Sequence, residues 1–463
     1  MDRRDFLKLS GMTAGGAVFG KHYASSEAEM MAALKANHVT AKAKRVIFLS
    51  MSGGPSQFES FDYKPELAKF NGKTIPEKYT KGQQLAQLQG QKLVCLGPQF
   101  KFKHYGQSKQ HICELFPQIG SVADDIAIIR SAHTEQINHD PAMTMLNTGT
   151  FLAGRPAMGS WINYAIGSES KSLPGFVVLE SIRGRGPQPI YSRLWHSGFL
   201  PGVNQGVKFN SKGDAVYYVK NPKGVSGKNQ IKVIDSINAL NKLNSQGIDD
   251  PEIETRIKQY EMARRMQKSV PELMDVSKES DATLKMYGCK PGDGSFAYNC
   301  LLARRLAERG VRFIQLYHRG WDHHSGLRKY MPICAGATDR GTAALIKDLK
   351  TRGMLDETLI VWSGEFGRTP MAQSSKGNVG RDHHMLSFSF FMAGGGIKGG
   401  TTLGETDPLG YKPIKDTVNL RDLHATMLHL LGINHKKLTF KFQGLDNRLT
   451  GVEESHLLKK ILA

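Results

Sequence analysis

The chain has 463 residues and a formal net charge of +20, with 40% hydrophobic and 22% charged residues. That length and balance suit a globular protein with one large core or two domains. They argue against a membrane span, since no apolar run reaches the roughly 18 residues that one needs. The positive charge would favour anionic partners. The lysines are scattered rather than striped, however, and no segment resembles a nucleic-acid module. The basic residues therefore read as a solvated surface whose field would assist a small anionic molecule or glycan, with no nucleic-acid partner.

In chain order, Asp2-Arg3-Arg4-Asp5-Phe6-Leu7-Lys8 precedes a weakly apolar, small-residue stretch from Leu9 to Gly20. A twin arginine in that setting resembles a Tat export signal. Residues 1–30 are set aside on that basis, with the Tat machinery as a partner and a periplasmic or extracellular destination. Residues 31–44 read as a helical linker. A domain is expected over 45–455, opening on a strand at Arg45–Met51. Residues 64–115 are polar and irregular. A second strand is expected at Asp125–Arg130, a helix over Pro141–Leu152 and a short strand at Phe176–Leu179. Residues 183–290 read as an insertion: rich in Gly, Pro, Lys and Asn at first, then helical over 230–285.

After the insertion, Phe296, Leu301, Leu302 and Leu306 mark an amphipathic helix over 294–309, closed by Gly310. It feeds the apolar run Val311–Tyr317. A helix over Gly341–Thr351 then feeds a strand at Thr358–Trp362, a further strand is expected at Phe388–Met392, and a helix over Leu420–Leu431 ends at Gly432. Helix followed by strand, repeated, predicts an α/β fold with a doubly wound, mostly parallel sheet and helices on both faces. The five cysteines form no CxxC pair, which argues against a cysteine zinc site and leaves either two disulfides or none.

The apolar runs end in chemistry-bearing clusters. Arg45–Met51 runs into Ser52-Gly53-Gly54-Pro55-Ser56, with Glu59 and Asp62 beyond. The second strand leads to His133 and His139. Val311–Tyr317 leads to Trp321-Asp322-His323-His324, and Thr358–Trp362 to Gly364-Glu365-Phe366-Gly367-Arg368. Arg381-Asp382-His383-His384 precedes the Phe388 strand. Ligands of open α/β sheets bind beyond the carboxyl ends of the strands, so distant segments would deliver carboxylates and imidazoles to one edge. These groups suit a divalent metal. The expected ligands are Asp322, His324, Glu365 and His383 or His384. Asp382 would support a ligating histidine by a hydrogen bond. Arg368 would clamp an oxyanion. Hydrogen-bonded loops, a surface histidine pair and internal ion pairs remain the alternatives. His133 and His139 flank the start of a helix, whose free N–H groups favour an anion.

Taken together, these motifs resemble the alkaline phosphatase superfamily, and within it the DUF1501 family of sulfatase-like proteins. The resemblance covers residues 45 to about 450. It is carried by Gly53–Ser56, the Asn138–Gly149 segment, Trp321–His324, Gly364–Pro370, Gly380–His384 and Gly394–Gly400. It implies an alkaline phosphatase-like sheet holding one or two divalent ions (Zn, Ca, Mg or Mn) and hydrolysis of phosphate or sulfate esters. The superfamily attacks through a Ser, Thr or formylglycine nucleophile. Met145-Leu146-Asn147-Thr148-Gly149 resembles the sulfatase helix, and counting back puts the formylglycine position at His139. Glu365-Phe366 stands where the superfamily has an Asp-His pair, and Ser52 where it has an Asp. The expectation is an exported, metal-dependent ester hydrolase, with His139 and His133 as catalytic candidates beside Arg368. In it, the ion would polarise the ester and acidify water, and His139 would act as nucleophile or base. The alternative is a non-catalytic, metal-containing protein that binds anionic glycans or a cell-envelope partner.

Overall fold

A computed structural model of the chain describes residues 39–182, 186–217, 226–245, 251–373 and 378–463. The expected export signal and linker residues 31–38 lie outside these. Val39–Lys44 is irregular rather than helical, and N–H groups of Val39, Lys42, Ala43 and Lys44 bond to the carbonyls of Gly432, Leu430 and Glu357.

The central sheet contains β1 (Arg45–Met51), β2 (Ile126–His133), β3 (Phe176–Glu180), β4 (Val207–Phe209), β5 (Phe313–His318) and β6 (Thr358–Ser363). A separate hairpin of β7 (Gly367–Gln373) and β8 (Gly380–His384) follows. The chain then returns to the sheet with β9 (Phe388–Ala393), β10 (Thr401–Leu403) and β11 (Val418–Asn419). Across the sheet the order is β10-β2-β9-β6-β1-β5-β3-β4, with β11 also beside β2. Every pairing in it is parallel except those of β9, which is antiparallel to β2 and β6.

Strands β1, β5, β6 and β9 are buried along their whole length, as expected where helices cover both faces. The helices of nine or more residues among the described residues are α1 (His139–Thr148), α2 (Met158–Ile166), α3 (Gly227–Ser245), α4 (Pro251–Met274), α5 (Phe296–Glu308), α6 (Leu327–Thr351) and α7 (Leu420–Leu430). Alternation along β1 separates the two cores: Val46 and Phe48 pack with α1, α2 and α7, while Ile47, Leu49 and Met51 pack with α5 and α6. Met266, Val270 and Leu273 of α4 enter the same cluster as α5, so this part of the 183–290 stretch shares the main core. Side-chain caps fix the starts of α5 and α7. Ser295 accepts from the Tyr298 N–H, and Asn419 with Asp422 forms a capping box at α7.

Several boundaries differ from the sequence reading. Strand β2 continues to His133. Helix α1 opens two residues earlier, at His139, and stops at Thr148 because Gly149 adopts a left-handed conformation. Helix α6 begins at Leu327 rather than Gly341; Pro332 in its second turn removes one N–H donor without ending the helix. All five cysteines are buried and unpaired.

The topology explains why one edge collects the polar clusters. Strands β1, β2, β5 and β6 run the same way, so their carboxyl ends open together. Strand β9 runs the other way, so its amino end reaches that edge, and the β7–β8 hairpin between β6 and β9 carries residues 367–384 across it.

Candidate metal centre

Four side chains from three of these segments converge: His139 at the start of α1, Asp322 and His324 after β5, and His383 on β8. One potential ligand atom from each lies within 4.8 Å of the others. Asp322 is the hub. His324 Nε2 is 3.0 Å and His383 Nε2 3.3 Å from its Oδ1, and His139 Nε2 is 3.2 Å from Oδ2. The side chains of Asp322 and His324 keep 23% of their surface open, so a small molecule can reach them.

The donor chemistry fits a cation. A neutral imidazole has one N–H and one lone pair. His383 Nδ1 donates to the Ile137 carbonyl at 2.9 Å, and His139 Nδ1 donates to Glu365 Oε1 at 2.6 Å. His324 Nδ1 donates to Gln373 Oε1 at 2.5 Å; the Gln373 amide nitrogen is committed to Gln87, which turns the oxygen toward His324. In its neutral form each of the three rings would aim an Nε2 lone pair inward. His324 Nε2 and His383 Nε2 stand 2.9 Å apart, where two lone pairs repel unless a proton or cation lies between them. His139 Nε2 is buried and makes no aligned hydrogen bond among the described residues. Imidazoles fixed through Nδ1 to a carboxylate or carbonyl are the usual support of metal-binding histidines.

A further layer holds these groups. Both Glu365 oxygens accept the Gly53 N–H, at 3.0 and 3.2 Å, and Oε2 also accepts the Gly54 N–H at 3.2 Å. The two glycines have φ of +121° and +65°. A Cβ on Gly53 would lie 2.6 Å from the Asp322 nitrogen, and one on Gly54 2.6 Å from the Phe366 ring, so only glycine fits this turn. Phe366 packs on the rings of His139 and His383, with centroids 4.9 and 4.6 Å away. Asn147 ties α1 to β5 by accepting from Gln315 at 2.6 Å and from the Tyr317 hydroxyl at 2.7 Å. That buried pair of bonds sets His139 relative to the loop that carries Asp322.

Other expected site residues stand elsewhere. Glu365 is fully buried behind His139, both oxygens already taken by donors. Arg368 is 1% exposed, with four of its five N–H groups committed: to the carbonyls of Gly54, Gly53 and Arg381, and to Asp322 Oδ1 at 2.7 Å. It positions Asp322 and has little left for an ester oxyanion. His384 follows His383 on β8 and so points to the opposite face, where its Nε2 donates to the Tyr411 carbonyl. Asp382 Oδ2 accepts the N–H groups of Gln87 and Leu88 at 2.6 and 2.9 Å. His133 ends β2 opposite Asn419, outside the group of four. Glu59 forms a buried bidentate pair with Arg381 at 2.8 and 3.0 Å. Gln373 and Asn147 carried no distinguishing sequence signal. His139 was singled out, but as a nucleophile or base rather than as a member of this group.

The charges reinforce the geometry. Burial disfavours the ionised form of Asp322, but the His139, His324 and His383 imidazoles beside it and the Arg368 charge outweigh it and hold the carboxyl well below the usual range. For His139, burial likewise opposes a charge, yet the adjacent carboxylates of Asp322 and Glu365 raise it to about 9. The two flanking carboxylates thus favour positive charge at this position, which a proton or a metal cation can supply. Burial lowers His383 to about 3, against the pull of Asp322.

Solved structures with some overall likeness are distant. A sulfatase from Pseudoalteromonas sp. has a TM-score of 0.33 and 12% identity, covering 88% of this chain and 71% of its own. A protein in the alkaline phosphatase superfamily from Vibrio parahaemolyticus has a TM-score of 0.34 and 11% identity, covering 88% and 76%. The alkaline phosphatase from the Antarctic bacterium TAB5 has a TM-score of 0.31 and 13% identity, covering 77% and 92%. Likeness at this level carries no weight for the chemistry of this chain. No curated protein matches the sequence. The family described as "Protein of unknown function (DUF1501)" matches residues 43–462, nearly the whole chain, and the chain belongs to the DUF1501 family.

Proposed function

We propose that this protein is a metal-dependent hydrolase of phosphate or sulfate esters, exported by the Tat route that Arg3-Arg4 suggests. The observation that carries the proposal is the convergence of His139, Asp322, His324 and His383 at a partly open sheet edge. These four side chains would hold the ion. Three imidazoles and one carboxylate favour a borderline ion such as Zn²⁺ or Mn²⁺ over Ca²⁺ or Mg²⁺, which prefer oxygen ligands. When bound, the ion supplies Lewis acidity, stabilising charge on the ester oxygens and acidifying water.

The chain's own residues prepare the site. Glu365 holds the proton of His139 on Nδ1 and leaves Nε2 to face inward. Arg368 fixes the Asp322 carboxylate by an ion pair and three carbonyl contacts. Phe366 keeps water from the outer faces of two imidazoles. The test is metal analysis of the full chain purified without chelator, together with turnover of aryl phosphate and aryl sulfate. Bound transition metal is expected, with turnover that chelator abolishes and the same metal restores. Metal-loaded protein that turns over neither ester would refute hydrolysis.

A second reading, a metal-containing protein that binds anionic glycans without turnover, is favoured by one observation. The helix start that would present a Ser, Thr or Cys nucleophile presents His139 instead, facing Asp322 and Glu365. Glycan binding by metal-loaded protein that lacks turnover would support it.

A further inference from the structure

The sheet edge continues beyond the histidine group. Strands β5, β3 and β4 are adjacent and parallel, so their carboxyl ends open together. A cleft of about 480 Å³ lies there, lined by Glu180, Ser181, Lys208, Ser211, Lys212 and Arg319. Three cations face one carboxylate. Glu180 is held by Arg319, with Nε at 2.9 Å and Nη2 at 2.8 Å, and by Lys208. Lys212 has no ion pair among the described residues. Two positive charges are thus left over in a concave wall, where the field on an anion is concentrated.

A second observation points to a ligand. Ser211 is 2% exposed, and its Oγ makes no hydrogen bond among the described residues. A buried hydroxyl without a partner is unfavourable and calls for one. Tyr217, 72% exposed, places an aromatic ring on the same wall, a surface suited to an apolar sugar face. Arg319 precedes Asp322 by three residues, so their Cα atoms are no more than about 11 Å apart. One extended molecule can therefore reach both the cleft and the histidine group.

We propose that this cleft binds a sulfate or phosphate substituent on a sugar unit next to the one presented to the histidines. The ligand is then an oligosaccharide with at least two anionic groups. The inference deepens the anionic-ester reading above and rests on it only for what happens at the histidines.

The test is calorimetric binding to the full, metal-loaded chain. The probes are a sulfated oligosaccharide, a phosphorylated one of the same length, and their uncharged parent. Charged probes are expected to bind and the parent to bind much more weakly; the tighter of the two charged probes identifies the substituent. The double variant K208Q/K212Q should lose about tenfold or more in affinity for the charged probes, with metal content and Tm unchanged. Ser211→Ala should weaken binding several-fold and leave the fold intact. Equal binding of charged and uncharged probes overturns the proposal, as does a well-folded double variant that binds like the wild type. Turnover of aryl esters combined with that result would leave the hydrolase reading standing. Charge-dependent binding without turnover would remove hydrolysis and keep the cleft.

Discussion

The chain contains the tripeptide Asp-His-His twice, and the two copies do opposite things. In Asp322-His323-His324, the first and third residues face the candidate metal position. The middle one, His323, turns into the core beside Cys334, 3.8 Å from its sulfur, and burial lowers it to about 3. In Asp382-His383-His384 the pattern is inverted. His383 alone faces the group, while Asp382 caps the backbone of Gln87 and Leu88 and His384 bonds to Tyr411. Alternation is common to both; which member points inward is set by how each segment meets the sheet edge. Identical residues therefore give two contributions in one copy and one in the other.

Exchanging the aspartates tests this contrast most sharply. Asp322→Asn removes the hub of the four-residue group and leaves the Arg368 guanidinium short of its carboxylate. It should cost more than the about 10–100-fold in metal affinity typical of a supporting residue, read by metal analysis. Asp382→Asn should keep the metal and instead cost about 1–3 kcal/mol of stability, because buried N–H groups lose a charged acceptor; urea unfolding measures it. Metal loss in Asp382→Asn with retention in Asp322→Asn would reverse the assignment.

The histidines come next. His383→Gln should release the metal with little change in Tm. His384→Gln should retain metal and lose about 1–2 kcal/mol through its bond to Tyr411. Glu365→Gln tests the layer behind the group. It weakens the hold on the His139 tautomer, so metal affinity should fall by about 10–100-fold while the four inward atoms remain. Loss as complete as in Asp322→Asn would make Glu365 a ligand after all.

A last effect is read as a slope in pH. Burial holds His384 and His424 to about 4 in the folded chain, against about 6.5 when unfolded. Between those values the unfolded chain takes up protons that the folded chain refuses. Stability should therefore fall as pH drops from about 6.5 to 4, by about 1.4 kcal/mol per unit for each histidine, and this contribution should be constant above that window. Urea midpoints across pH check it, and His384→Gln should make the slope shallower.

Much of the architecture was legible because it rests on local pattern. Apolar β-branched runs at 45–51, 313–318 and 358–363, each of the last two preceded by an amphipathic helix, require a parallel sheet covered on both faces. Helix α6 starts at Leu327, well before the Gly341 expected from sequence, and tertiary packing of Met331 and Cys334 carries it through Pro332.

By itself, the sequence determined which residue types reach the sheet edge, since strand length and glycine turns are written locally. Only the tertiary structure decided their roles. Arg368 became the brace of Asp322, and Glu365 the anchor of His139. His384 turned outward to Tyr411, and His139 joined the inward group. Each outcome depends on contacts across dozens to hundreds of residues, and on a pleat whose phase no local run of residues encodes.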